Sequence, residues 1–182
     1  METFVIQLPL RKDQHAFNLE RWDELSEDSD VQKLPNKIET DRHGNVIMMP
    51  PASMTHGSRQ TRISFLLQTL IGLGRAIVEC PISTSDSVTA ADVVWISKER
   101  LDQNPESICT AIAPEICIEV FSPRNRMSEM QEKKGLYFAA GADEVWFCDL
   151  EGAMSFYLKT DPDKPAEKSA LCQDFPQTIE LS

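Results

Sequence analysis

The stretch Ala90-Ala91-Asp92-Val93-Val94-Trp95-Ile96 decides how this chain is read, together with Glu115-Ile116-Cys117-Ile118-Glu119-Val120-Phe121 downstream. Both read as strands, and each carries one carboxylate inside an apolar run. An ionised carboxylate buried without a partner costs several kcal/mol or takes up a proton, so Asp92 and Glu119 need compensation. Working outward, Ser122-Pro123 follows the second strand and leads into a helix that carries Lys133-Lys134 and ends at Gly141. Two sources of positive charge are economical: a divalent cation held between the acids, or a lysine from this helix. Two carboxylates, a main-chain carbonyl and waters form a hard oxygen site suited to Mg2+ or Mn2+. Such an ion polarises a phosphodiester oxygen, while a lysine stabilises the developing charge. The plainer alternative leaves Asp92 at the end of a turn and Glu119 on an exposed sheet edge, because structural ion pairs are common. At about 100° per residue, Lys133 and Lys134 straddle the stripe formed by Met130 and Tyr137, so periodicity leaves open which one points inward.

Composition narrows the setting. A chain of 182 residues fits one domain with a real core, and 41% hydrophobic with 26% charged residues is the balance of a globular protein. No apolar run approaches the roughly 20 residues of a membrane span, and Met1-Glu2-Thr3-Phe4 lacks the pattern of a secretory signal. A cytoplasmic protein with no membrane partner is expected. The five cysteines are scattered without Cys-x-x-Cys spacing, which favours buried free thiols over disulfides or zinc. With only His15, His43 and His56, a histidine-based metal site is poorly supported. The net charge of -11 argues against nucleic-acid binding driven by overall charge, though a local basic patch remains compatible with it.

Along the chain, residues 1–10 read as extended, with Phe4, Ile6 and Leu8 alternating. Residues 13–30 read as an acidic helix whose Phe17, Trp22 and Leu25 share an apolar stripe. Lys37-Ile38-Glu39-Thr40 and Val46-Ile47-Met48-Met49 suggest a hairpin, with Gly44 at a positive φ in its turn and Pro50-Pro51 as its stop. Ser53 or Thr55 can cap the next helix, predicted from Met54 to about Arg75 on the spacing of Ile63, Leu66, Leu67, Leu70 and Ile71. His56, Arg59 and Arg62 in its first half either reach a phosphate or solvate the helix, and solvation is the commoner use. Strands at 76–80 and 82–88 are expected to break near Pro81. A short helical turn at 98–104 leads through Pro105 and Pro114 to the Glu119 strand. A helix over 126–140, a buried strand over 144–149 and an edge strand over 154–158 follow, with a loose loop over 160–168.

Taken in order, Ile38-Glu39, Gly44-Asn45-Val46-Ile47-Met48-Met49-Pro50-Pro51, His56-Gly57, Ala91-Asp92-Val93, Ile118-Glu119-Val120, Ser122-Pro123, Glu132-Lys133 and Tyr137 resemble a known family. It is the large bacterial Uma-type family of "putative restriction endonucleases", within the PD-(D/E)XK nuclease superfamily. The likeness runs from about Phe17 to Leu158. It implies a restriction-endonuclease-like αβββαβ core, an α/β fold with a mixed sheet flanked by helices and preceded by an N-terminal helix and hairpin. One nuclease-like domain over 1–182 is expected, with the core at about 54–158 and residues 1–53 as extension.

The resemblance further implies that Asp92 and Glu119 are the metal-binding acids, that Lys133 rather than Lys134 is the family's lysine, and that Glu39 is an auxiliary acid. Phe121 stands where the superfamily's Glu-x-Lys lysine would be, Ala91 where a proline usually precedes the aspartate, and Asn45 where a glutamate is common. The resulting expectation is a Mg2+- or Mn2+-dependent endonuclease-like hydrolase acting on nucleic acid, with DNA first in line, working as a homodimer. A catalytically idle binding or assembly module of the same fold is the alternative, and a hydrolase of smaller phosphate esters is the third reading.

Overall fold

The computed structural model describes residues 11–35, 37–103 and 108–181. The extended segment expected at 1–10 and the Pro105 lead-in lie outside the described residues. Asp13 accepts a hydrogen bond from the Ala16 amide and opens helix α1, Gln14–Glu27. Strands β1, Ile38–Thr40, and β2, Val46–Met48, form the hairpin, and Gly44 turns it at a φ of 80° that a side chain would resist. Ser53, not Thr55, caps helix α2, Met54–Leu70, by accepting from the His56 amide.

Helix α2 stops earlier than its apolar spacing predicts. Gly72 takes a φ of 65° and reverses the chain, so Gly74 and Arg75 already belong to strand β3, Gly74–Ser83. After β3 come β4, Val88–Ser97, helix α3, Lys98–Gln103, and β5, Ile116–Val120. Helix α4, Met127–Ala139, crosses to β6, Glu144–Cys148, and β7, Met154–Leu158, and β8, Asp161–Ala166, complete the sheet.

The six strands lie in the order β3-β4-β5-β6-β7-β8. Only β5 and β6 are parallel, because α4 carries the chain back between them. From α2 to β6 this is an αβββαβ core with α3 inserted, as expected. Ile63 and Leu67 of α2 pack on one face against Val93, Trp95, Ile116, Ile118 and Trp146. Met130 and Tyr137 of α4 pack on the other against Val94, Cys117 and Val145. Covered on both faces, β5 and β6 are buried at every residue, which is why they read as near-continuous apolar runs. Among the described residues no helix is long and apolar enough to cross a membrane. All five cysteines are free and buried.

Two expectations fail on edge strands. Pro81 does not break a strand: β3 runs through it, paired with Ala90 of β4, and the turn comes instead at Thr84 to Ser87. The region expected to be a loose loop, 160–168, contains β8, despite Pro162 and Pro165. In both cases the strand pairs on one side only within the sheet, so an absent amide costs no central ladder bond.

The segment after β8 is tied to the core by a buried carboxylate. Glu144 accepts from the Trp146 indole at 2.7 Å and from the amides of Ala170 and Leu171 at 2.8 Å each, and Cys172, Phe175 and Ile179 then pack beside α2. Glu144→Ala leaves these donors unmatched and should cost about 3 kcal/mol, read by chemical denaturation, with faster proteolysis after residue 169; unchanged stability would show that the tail is held by apolar packing alone.

Candidate active site

The sheet register sets out the acids. Val93, Val94 and Trp95 pair with Ile118, Cys117 and Ile116, and one step further along places Asp92 across from Glu119. On the other side of β4, Val78 pairs with Val93 and Cys80 with Ala91, so Glu79 falls across from Asp92. Glu79, Asp92 and Glu119 therefore form a row over three neighbouring strands. The β3–β4 pairing lapses between Glu79 and Asp92, where Glu79 takes a φ of 53°. A glutamate in the left-handed region is strained, and such strain persists where surrounding contacts enforce it. Beside it Ala91 packs with Val94 on the α4 side of the sheet and Val93 on the α2 side, so side-chain alternation slips at Asp92.

Asp92 is 5% exposed and Glu119 3%, which removes the alternative of a turn aspartate and an edge glutamate. The Oδ2 of Asp92 accepts from the Val120 amide at 2.8 Å. Its Oδ1 meets the Lys37 ammonium at 2.8 Å, with His56 Nε2 at 3.5 Å and Gln60 Nε2 at 3.4 Å. Burial works against the charge of Asp92, but the hydrogen bond from His56 and the charge of Lys37 outweigh it and hold the carboxyl well below its usual range. In return, the contact with Asp92 raises the pKa of His56 against its burial. Lys37 also stays charged, since Asp92, Glu119 and Glu79 more than offset its desolvation.

Glu119 has a different balance. Its Oε1 accepts from the Tyr137 hydroxyl at 2.5 Å and lies 3.6 Å from Lys133 Nζ. Burial pushes its pKa from 4.5 up to about 7, with the Asp92 charge adding to the rise and Lys133, Lys37 and Tyr137 opposing it. Lys133 spans to Glu39 Oε1 at 2.8 Å, and that same oxygen accepts from the Ala90 amide at 3.1 Å. Glu39 is 7% exposed, so the hairpin delivers it to the site rather than to solvent. Lys134 turns away: its ammonium sits 4.1 Å from the centre of the Tyr157 ring and donates to the Pro162 carbonyl. The ambiguity between the two lysines is thus settled in space.

All four sequence candidates, Asp92, Glu119, Lys133 and Glu39, converge. Lys37, Glu79, Gln60 and His56 join them. Lys37 and Glu39 sit two apart along one strand direction and so share a face, and His56 and Gln60 sit four apart in α2, so periodicity held a signal for both pairs. Glu79 had none, because nothing in a glutamate announces a left-handed backbone. Of the cations considered alongside His56, Arg59 is spent on the Leu150 carbonyl at 2.6 Å, and Arg62 lies over Phe65. His56, Glu79 and Asp92 form a group whose ligand atoms all lie within 4.8 Å of one another.

Asp92, Glu119, Lys133, Lys37, Glu79 and His56 line a cleft of about 990 Å³, together with Pro35, Pro50, Pro51, Pro123 and Arg124. Along it carboxylates outnumber ammonium groups: Asp92, Glu119, Glu79 and Glu129 against Lys37 and Lys133. That donor set fits a divalent cation, and the atom already lodged between Asp92 and Glu79 is itself cationic.

Residues 22–181 match the family described as Uma2, "Putative restriction endonuclease". The chain belongs to this Uma2 family. A crystal structure of a "putative nuclease" from Anabaena variabilis superposes with a TM-score of 0.64 at 20% identity, covering 85% of this chain and 93% of that one. At this identity the likeness establishes a shared fold. No curated protein sequence matches the chain. The Uma2 match begins at Trp22, which places the β1–β2 hairpin, with its Lys37 and Glu39, within the family region.

The raised pKa of Glu119 has a consequence for stability. Between 4.5 and about 7 the folded protein keeps a proton that the unfolded chain has released, so stability falls as pH rises through that window. Asp92 acts oppositely: its contribution is present above the ordinary aspartate range and is lost as pH falls. Without metal, Glu119→Gln should stabilise the protein at pH 8 by roughly 1–3 kcal/mol, with the gain fading toward pH 5 in thermal unfolding. A gain equal at both pH values would show that Glu119 is ionised throughout.

Proposed function

We propose that this Uma2 protein is a Mg2+- or Mn2+-dependent endonuclease-like phosphodiester hydrolase acting on nucleic acid, with DNA as its substrate. The observation that carries the reading is the convergence of Asp92, Glu119 and Lys133 on one cleft, with Glu39 paired to Lys133, from four separate elements. Asp92 and Glu119 would hold the cation. Such a bound ion supplies charge stabilisation at the oxygens of the phosphodiester.

The chain's own residues supply the rest. Asp92 is oriented by the Val120 amide, which fixes one oxygen and leaves the other facing the cleft. Tyr137 holds Glu119 from the α4 side. Lys133, steadied by Glu39, presents its ammonium to the negative charge that builds on a phosphoryl oxygen during attack. Glu39 acts through Lys133 and is a positioning residue. Cutting both strands of a duplex calls for two such clefts, so a homodimer belongs to the proposal and light scattering reads it.

A second reading, an idle nuclease-fold binding module, is favoured by the net charge of -11 and by Lys37 already neutralising the acids. Plasmid cleavage with Mg2+ or Mn2+ separates the two. Asp92→Ala should abolish metal-dependent cleavage, and Lys133→Met should slow it by about 100-fold or more. Equal cleavage by the Asp92→Ala protein would remove the assignment, and no cleavage by the wild type across DNA and RNA substrates would leave the binding module.

A further inference from the structure

The Lys37 ammonium stands where a metal ion would. It lies 2.8 Å from Asp92 Oδ1 and 3.1 Å from Glu79 Oε2, beside His56. Asp92, Glu79 and His56 offer an oxygen, an oxygen and an imidazole nitrogen within 4.8 Å of one another. Gln60 holds the other oxygen of Glu79 at 2.6 Å, so Oε2 is the one left facing the cation. That Oε2 is buried and has no hydrogen-bond donor, because Lys37 sits at ion-pair distance without hydrogen-bond alignment. A spherical ion has no such angular demand. The Lys37 carbonyl accepts from the Met49 amide at 2.8 Å, and the residue lines the cleft.

We propose that His56, Glu79 and Asp92 form a divalent-cation position of their own, distinct from the Asp92–Glu119 pair, and that Lys37 fills it in the metal-free protein as a tethered substitute cation. The proposal rests on the reading that Asp92 binds metal. Because one donor is an imidazole, the position favours Mn2+ or another transition ion over Mg2+, whose ligands are oxygens. Lys37 must vacate before the ion enters, and a site competent in only about a tenth of the molecules binds about tenfold more weakly. Lys37 thus sets the metal affinity of the cleft. Once withdrawn, its charge stays within reach of a phosphate in the same space.

The test is calorimetric titration with Mn2+ and with Mg2+. The proteins are the wild type, Lys37→Met and Lys37→Gln, and then His56→Ala, Glu79→Gln and Glu119→Gln placed in the Lys37→Gln background. Circular dichroism checks the fold of each, and the Gln variant keeps a donor to Asp92 should Met unfold the site. Removing the Lys37 charge should tighten Mn2+ binding by about tenfold or more, with a smaller gain for Mg2+. His56→Ala and Glu79→Gln should then weaken Mn2+ binding, and Glu119→Gln should leave one Mn2+ bound. Unchanged or weaker Mn2+ binding without Lys37 overturns the substitute-cation role. Binding lost with Glu119→Gln but indifferent to His56 and Glu79 overturns the separate position while leaving the nuclease reading intact. No binding by any of these proteins overturns both.

Discussion

Everything in this structure turns on the cost of enclosing carboxylates. Asp92 and Glu119 stand on the neighbouring inner strands β4 and β5, beneath helices on both faces, where ionised oxygen is expensive. Each acid is made tolerable differently. Asp92 keeps its charge because an amide, an imidazole and an ammonium surround it. Glu119 has fewer donors, and its affinity for a proton rises instead. Two acids of similar chemistry thus behave oppositely because one is better partnered than the other.

The compensating charges come from outside the strands that carry the acids. Lys133 arrives from α4, the crossover between the two parallel strands, and Lys37 and Glu39 arrive from the β1 side of the hairpin. The hairpin is therefore part of the site rather than an appendage. Glu39 links it to α4 through Lys133 and to β4 through the Ala90 amide. This paired network holds these elements in one arrangement, and removing Lys37 or Lys133 leaves a buried acid less compensated.

Much of this was legible from residue order. The αβββαβ succession, the buried type of the Glu144 strand, the Gly44 turn, a cap at Ser53 or Thr55 and the free cysteines all rest on local patterns that tertiary contacts reinforce. The misreadings have local causes as well. Pro81 and the prolines of β8 look like breakers because proline lacks an amide, and only the position of a strand at the sheet edge makes that harmless. The helical pattern of α2 runs past its end because apolar spacing says nothing about where a glycine reverses the chain.

The sequence by itself determined that two acids lie inside apolar strands and that a lysine-bearing helix follows them, since burial and periodicity are properties of neighbouring residues. Family likeness selected Lys133 and Glu39. Only the tertiary structure decided which charges meet: Lys133 inward and Lys134 outward, Lys37 on Asp92, and Glu79 turned by a left-handed backbone into the same space. The physical reason is range. Hydrophobic patterning repeats over a few residues, whereas ion pairing joins side chains as far apart in the chain as Glu39 and Lys133, and its strength is set by distance in space and by burial rather than by separation along the chain.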